Sequence, residues 1–209
     1  MTAPEELVRR GYDAIAERYA EWASSFESPA LRWVEMLEQR LPERSRVLDL
    51  GCGGGGPTTR ALAARHDVVG VDISERQLER ARRLVPEARF LRADATEVAF
   101  EPESFDAVVS LFLLGHVPRA KQRPLLERIF RWLAPGGRLL ATLGTGNADD
   151  EVEADWLGAP MFFASYDDAW NRHALEFTRF VLEEARVVPF EEPGHGVVSF
   201  MWVLARKPA

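Results

Sequence analysis

Three acidic residues, Asp49, Asp72 and Asp94, each lie at or just after the end of a short apolar run. A carboxylate in such a position can pair with an ammonium group or accept hydrogen bonds from hydroxyl and amino groups. Asp72 follows Gly51 by 21 residues, the interval at which an acidic residue accepts from both ribose hydroxyls of an adenosine. Ile73 would then pack on the adenine face, and Asp94 would bind the adenine amino group.

Glycines dominate the loop Gly51–Gly56 that follows Asp49, and the loop leads into a predicted helix. Glycine lets the backbone approach a ligand, and free N–H groups are expected at the helix N-terminus. The loop matches the dinucleotide fingerprint, but Asp49 would oppose a pyrophosphate and Pro57 removes an N–H group. An amino-acid-bearing cofactor therefore fits better, with Asp49 facing its ammonium group. Cys52 is interpreted as a small residue tolerated in the tight turn.

Strands and helices that alternate from Arg46 onward must position these residues. The alternation predicts an α/β fold, a doubly wound and mostly parallel sheet of seven strands with helices on both faces. The short turn at 193–196 makes the last two strands a hairpin, so the last strand is antiparallel. Strands are predicted at 46–50, 67–71, 89–91, 105–113, 138–143, 180–188 and 197–206, and helices at 57–65, 74–84, 119–133 and 167–176.

One domain over residues 1–209 is expected from the length of the chain. Its parts would be a helical cap at 1–44, a cofactor-binding core at 45–144, an acceptor-side insertion at 145–178 and a C-terminal strand hairpin at 179–209. In the cap, Ser28 followed by Pro29 predicts a helix start. Residues 144–164 are acidic and are expected to form a loop.

Composition narrows the class of protein. There are 26 basic and 33 acidic residues, a net charge of −7, which opposes a general role on nucleic acid or a membrane surface. The single cysteine excludes an internal disulfide and a multi-cysteine zinc site. The N-terminus lacks a signal-peptide pattern, and no apolar run approaches the roughly 20 residues of a membrane span. A cytoplasmic protein is expected.

Together these features resemble the class I S-adenosylmethionine-dependent methyltransferases, from about Arg46 onward. The family pattern D-x-G-x-G is present as Asp49, Gly51 and Gly53, and the other matching segments are 70–74, 93–96, 105–116 and 133–144. The resemblance implies S-adenosylmethionine as the cofactor and methyl transfer to an acceptor by in-line displacement. The short cap and insertion favour a small-molecule acceptor.

The resemblance also implies roles for individual residues. The glycine loop would take the methionine moiety, Asp72 the ribose, and Asp94 with Ala95 the adenine. Ser110 and Phe112 would line the sulfonium, while Tyr12 and Tyr19 of the cap would close over the cofactor. The implied cofactor-binding set is Tyr12, Tyr19, Asp49, Gly51, Cys52, Gly53, Gly54, Asp72, Ile73, Asp94, Ala95, Ser110 and Phe112.

His116 follows the fourth strand and is the candidate general base, with a pKa expected near 6–7. The alternative is a histidine that binds backbone or positions the cofactor.

The other histidines, His66, His173 and His195, are interpreted as structural or solvated, and no pair has metal-ligand spacing, so no metal is predicted. The acidic run 149–155 is read as a solvated loop rather than a cation site, and the aromatic stretch 156–170 as either packing or an acceptor-pocket wall.

Two other functions remain open from the sequence. One is a nicotinamide-dependent oxidoreductase, and the other is a protein that binds S-adenosylmethionine without catalysis. The expected partner is a small-molecule acceptor, with no nucleic acid and no membrane, and the chain would be a monomer or a homodimer.

Overall fold

The computed structural model describes residues 3–209, which form six α-helices and nine β-strands. The helices are α1 Pro4–Ala23, α2 Ala30–Glu38, α3 Pro57–Ala63, α4 Glu75–Leu84, α5 Arg119–Trp132 and α6 Asp168–Phe177. The strands are β1 Arg46–Leu50, β2 Asp67–Asp72, β3 Arg89–Arg92, β4 Phe105–Ser110, β5 Leu133–Gly144, β6 Glu151–Trp156, β7 Ala159–Phe163, β8 Val181–Glu192 and β9 Gly196–Arg206.

Seven strands form one sheet in the order β3-β2-β1-β4-β5-β9-β8. Strand β1 pairs in parallel with β2 and β4, whereas β9 is antiparallel to both β5 and β8. The predicted seven-stranded, mostly parallel sheet with an antiparallel last strand is confirmed. Strand order reverses at β1, and in sheets of this kind ligands bind outside the carboxyl ends of the strands at such a reversal.

Apolar side chains on both faces of the sheet explain why the helices lie on both sides. One face packs on Leu125, Ile129 and Trp132 of α5, all at most 1% exposed. The opposite face packs on helices α2 and α3, where the Trp33 ring stacks on Trp202 of β9 with centroids 5.8 Å apart. Burying these side chains supplies the main free energy that holds the layers together.

The segment expected to be a loop at 144–164 instead contains a hairpin of β6 and β7, so that expectation was wrong. The acidic residues of β6 alternate with apolar ones, but only Trp156 of this strand is buried, whereas Met161 and Phe162 of β7 are buried. Leu157 and Gly158 have positive φ angles of 52° and 92°, as a two-residue hairpin turn requires. Helix α1 packs against this hairpin rather than against the main sheet.

Some element ends differ from the predicted ones. Strand β4 ends at Ser110 and not at Leu113, because Phe112 adopts a left-handed backbone with φ of 58° and turns the chain out of the sheet. The C-terminal hairpin is longer than expected and reaches Glu192 before it turns. Within residues 3–209, none of the helices has the length and apolar character needed to cross a membrane.

Candidate active site

A pocket lies at the carboxyl ends of β1, β2 and β4, and residues of α1 form one of its walls. Most of the residues singled out from the sequence meet in it. The predicted residues that line the pocket are Tyr12, Tyr19, Gly51, Gly53, Asp72, Ile73, Asp94, Ala95, Phe112 and His116. Those that lie behind its wall are Asp49, Cys52, Gly54 and Ser110.

The glycine loop has the backbone shape that the sequence predicts, but it uses its N–H groups differently. Gly51 has a φ of 81°, and a Cβ atom added there would lie 3.0 Å from the Cβ of Leu113. The amides of Gly51 and Cys52 donate to the carbonyl of Val71 at 2.8 and 3.0 Å. The amide of Gly53 donates to a side chain. These three groups are not free to bind a pyrophosphate, which argues further against a dinucleotide.

The Asp72 carboxylate lies at the end of β2 and lines the pocket. Its Oδ2 accepts from the Gly53 amide at 2.9 Å, and its Oδ1 accepts from the Ser74 amide at 2.8 Å. Each oxygen keeps a second lone pair, so the carboxylate can accept two more hydrogen bonds, as a ribose with two hydroxyls requires. Burial raises the pKa of Asp72 to about 6 against the lowering effect of the backbone amides of Ser74, Gly53 and Ile73.

Asp49 is buried next to the pocket at the end of β1, 4% exposed. Its Oδ2 accepts from the hydroxyl of Thr59 on α3 at 2.6 Å. Burial, together with the charge of Asp72, raises the pKa of Asp49 to about 6 against the lowering effect of the Thr59 hydrogen bond. Within residues 3–209 no lysine or arginine forms an ion pair with Asp49 or Asp72. A cationic ligand group would relieve this concentration of negative charge.

Asp94 and Ala95 lie after β3, at the far end of the pocket. Asp94 Oδ1 accepts from the amide and the hydroxyl of Thr96 at 2.7 and 2.9 Å. Lys121 of α5 and Glu5 of α1 form an ion pair that completes this end of the pocket. The sequence analysis missed both, although the position of Lys121 in the first turn of the helix that follows β4 was a usable signal.

His116 and Tyr12, which both line the pocket, are joined by a polar contact. His116 Nδ1 lies 2.9 Å from the carbonyl oxygen of Phe162, which can only accept, so we assign the proton to Nδ1. The Tyr12 hydroxyl then donates to the bare Nε2 atom at 2.8 Å. Burial lowers the pKa of His116 to about 4, well below the 6–7 expected from the sequence. The ring is therefore neutral at pH 7.

The aromatic residues predicted to face the sulfonium and the cofactor are grouped near this pair. The Tyr19 and Tyr12 rings meet edge to face with centroids 5.3 Å apart, and burial raises the pKa of Tyr19 to about 12. Phe112 lines the pocket where β4 ends. Ser110, by contrast, is fully buried, and its hydroxyl has no hydrogen-bond partner among residues 3–209.

Cys52 and Gly54 face protein rather than the pocket. Burial raises the pKa of the Cys52 thiol well above its usual value, which is consistent with an inert small residue. A Cβ atom at Gly54 would lie 2.9 Å from Gln77 Oε1 of α4. The backbone of both residues still shapes the turn that brings Gly51 and Gly53 to the pocket.

Helix α1 is attached to the rest of the molecule along its length. Besides Tyr12, its attachments are the Glu5–Lys121 pair, the Glu17–Arg80 pair, the bond from Ser74 Oγ to Asp13 Oδ1 at 2.7 Å, and the bond from Trp22 Nε1 to the Pro193 carbonyl at 2.9 Å. These contacts reach α4, α5 and the β8–β9 turn. The helix is thereby held against the mouth of the pocket.

The remaining sequence candidates lie elsewhere. His66 is buried behind α3, and His173 is exposed on α6. The acidic run contributes Asp149 and Asp150 to contacts with Arg119, and no group of three or more His, Cys, Asp or Glu residues within 3–209 is arranged to hold a metal ion. In the aromatic stretch, Trp156 and Phe163 pack around Tyr12 and His116, so this part of the stretch lies beside the pocket.

Comparison with known proteins shows the family to which the chain belongs. The model of the methyltransferase domain family matches residues 47–137. The protein YqeM of Bacillus subtilis, which is named as a methyltransferase, is 33% identical over 87% of this chain and 82% of its own length. The 27-O-demethylrifamycin SV methyltransferase of Amycolatopsis mediterranei is 34% identical over 66% of this chain, but the chain spans only 59% of that enzyme.

A solved structure supports the fold across the whole chain. The 1,6-didemethyltoxoflavin-N1-methyltransferase of Burkholderia thailandensis, solved with S-adenosylhomocysteine, superposes with a TM-score of 0.75. The superposition covers 100% of this chain and 92% of that enzyme's chain. At 20% sequence identity, it supports a shared fold only. These names give no support to a nicotinamide-dependent oxidoreductase. Taken with the D-x-G-x-G loop and the sheet order, they show that the chain belongs to the class I S-adenosylmethionine-dependent methyltransferase family.

Proposed function

We propose that this chain transfers a methyl group from S-adenosylmethionine to a small-molecule acceptor in the pocket under α1. The observation that carries the proposal is the half-buried Asp72 carboxylate, which lines the pocket and can accept two further hydrogen bonds. In the proposed complex Asp72 binds the ribose hydroxyls, and Asp94 with Ala95 binds the adenine. Ile73 packs on the adenine ring.

The methionine end of the cofactor would lie on Gly51 and Gly53, where the absence of Cβ atoms lets a ligand approach the backbone. Asp49 sits one layer behind them and would stabilise the ammonium group by its charge rather than by direct contact. Cys52 and Gly54 would act only by shaping the turn, and Ser110 would support Phe112 from behind.

S-adenosylmethionine supplies an electrophilic methyl group on a sulfonium. The chain's own contribution is to align the acceptor and to exclude water, with Tyr12, Tyr19 and Phe112 as aromatic walls that stabilise a cation. His116 is the proposed positioning residue or base. Its Nε2 lone pair is available for a proton only if the Tyr12 hydroxyl moves aside or passes its own proton on.

A small-molecule partner, and no nucleic acid, fits the net charge of −7. Location in the cytoplasm and a monomeric or homodimeric state are part of the same proposal.

The test is the affinity for S-adenosylhomocysteine, measured by titration calorimetry on Asp72→Ala and on Asp67→Ala. Asp67 begins the same strand at its opposite, exposed end and is the matched control. We expect Asp72→Ala to weaken binding by more than about tenfold, since a ligand hydroxyl left without its partner costs about 1–3 kcal/mol. Unchanged affinity in Asp72→Ala, or an equal loss in both variants, would refute the ribose assignment.

A further inference from the structure

Five aromatic rings form a continuous series of contacts, and the first and last rings of the series both line the pocket. Phe112 contacts Phe190 with centroids 6.4 Å apart, Phe190 stacks on Phe26 at 6.1 Å, Phe26 meets Trp22 at 4.9 Å, and Trp22 meets Tyr19 at 5.8 Å. Phe112 and Tyr19 both line the cofactor pocket. We name these five residues the aromatic collar. All five rings are partly exposed, unlike the tryptophans of the core.

The collar is assembled from separate parts of the chain and includes a strained position. Its rings come from α1, the segment after α1, the end of β4, and β8. Phe112 holds a φ of 58°, which is unfavourable for a bulky residue and persists only where the surroundings enforce it. Its amide donates to the Thr142 hydroxyl at 2.6 Å, which fixes that conformation. Strain of this kind is concentrated at ligand sites.

One carboxylate, that of Glu192, lies beside the collar. Glu192 follows Phe190 by two residues and precedes Pro193, whose carbonyl accepts from Trp22. Burial raises the pKa of both Tyr12 and Tyr19, and the charges of Asp72 and then Glu192 act in the same direction, so Glu192 lies near these two pocket residues. Burial raises the pKa of Glu192 itself, an effect opposed by the nearby His195.

Within residues 3–209 no lysine or arginine forms an ion pair with Glu192. His195 is the neighbouring group able to carry a positive charge, and its ring packs on Trp22 with centroids 6.0 Å apart. An acceptor with a carboxylate would therefore place a second negative charge beside Glu192 without a lysine or arginine to neutralise it.

We propose that the aromatic collar binds the methyl acceptor, and that the acceptor is a flat aromatic molecule with a hydroxyl or amino group and no negative charge. Aromatic faces hold a planar ring by stacking and edge contacts. Glu192 accepts a hydrogen bond from the hydroxyl or amino group at the end away from the methylated atom. The proposal rests on the proposed function, since two members of the collar, Tyr19 and Phe112, line the cofactor pocket.

Two probes that share one ring test the charge preference. The protein saturated with S-adenosylhomocysteine is titrated with 2-naphthol and with 2-naphthoate by calorimetry. We expect 2-naphthol to bind more tightly by about tenfold or more, which is the scale of a hydrogen bond to a charged group. In Glu192→Gln this preference falls by about tenfold, because naphthol loses a charged partner and naphthoate loses a repulsion. Glu191→Gln, which alters the exposed neighbouring carboxylate, leaves the preference unchanged.

A collar variant separates stacking from charge. Phe26→Leu is expected to weaken both probes while keeping their ratio. The proposal fails if 2-naphthoate binds as tightly as 2-naphthol, if Glu192→Gln keeps the wild-type preference, or if neither probe binds the loaded protein. Failure of the proposed function is distinct, because then S-adenosylhomocysteine itself does not bind before any probe is added.

Discussion

Replacement of Asp49 by asparagine should stabilise the ligand-free protein at neutral pH. Burial raises the pKa of Asp49 from 3.8 to about 6. A raised pKa means that folding favours the protonated form, so this stability is present below pH 3.8 and is lost as pH rises through 6. The shift of about two pH units corresponds to about 3 kcal/mol at pH 7.5 as an upper limit, since one unit is about 1.4 kcal/mol.

Asparagine keeps an acceptor for the Thr59 hydroxyl and removes the charge. We therefore expect a gain of about 1–3 kcal/mol in the free energy of unfolding at pH 7.5, and about half of that gain at pH 5, where the native carboxyl is mostly protonated. Urea unfolding at the two pH values measures both. The same variant should bind S-adenosylmethionine more weakly, because the ammonium group loses a nearby charge.

Asp106→Asn is a control for which we expect a change in the free energy of unfolding of the opposite sign. Its carboxylate binds the amide and guanidinium of Arg46, and these bonds hold the pKa of Asp106 below its usual value. That stability is present above the unfolded pKa and is lost as pH falls, so Asp106→Asn should destabilise the protein at pH 7.5. A destabilised Asp49→Asn variant, or a gain of equal size at pH 5 and 7.5, would refute the reasoning about buried charge.

Two further predictions concern His116 and helix α1. If His116 accepts a proton during turnover, the single-turnover rate should be flat between pH 6 and 8 and should fall only near the His116 pKa of about 4. Both His116→Ala and His116→Gln should then lose this decrease of the rate at low pH. A decrease centred at pH 6–7 in the wild type would contradict the argument that burial lowers the pKa. Removal of residues 1–25 should leave a folded sheet, because α1 packs in a separate cluster, but should weaken S-adenosylhomocysteine binding by more than about tenfold through loss of Tyr12 and Tyr19. A truncated chain that binds normally, or one that shows no cooperative unfolding, would contradict this division of the molecule.

Local signals in the sequence were sufficient for the sheet and for the carboxylates along its edge. Apolar runs that end in Asp49 and Asp72 predict both the strands and the edge where they meet, because parallel strands place their carboxyl ends together. The hairpin of β6 and β7 was missed because the acidic residues at 151, 153 and 155 favoured a loop, although they alternate with apolar residues as in a strand.

Features that depend on contacts between distant segments could not be predicted from the sequence. The bond from Tyr12 to His116 joins residues 104 apart, and no spacing rule predicts it. The same holds for Phe190 and Phe26 of the collar, which looked like ordinary apolar residues in a strand and a loop. The amides of Gly51, Cys52 and Gly53 donate to Val71 and Asp72, a use of the loop backbone that only the register of β1 against β2 could reveal.

The distributed attachment of α1 has a consequence for the timing of turnover. A helix held at one end can rotate away from the pocket about that end. A helix held along its length can move away only when several contacts break at the same time. The waiting time for that event rises steeply with the number of bonds, although each alone is weak. We expect product departure, rather than methyl transfer, to limit the steady-state rate. Because the Glu5–Lys121 and Glu17–Arg80 attachments are ion pairs, added salt should shorten the waiting time and speed each cycle.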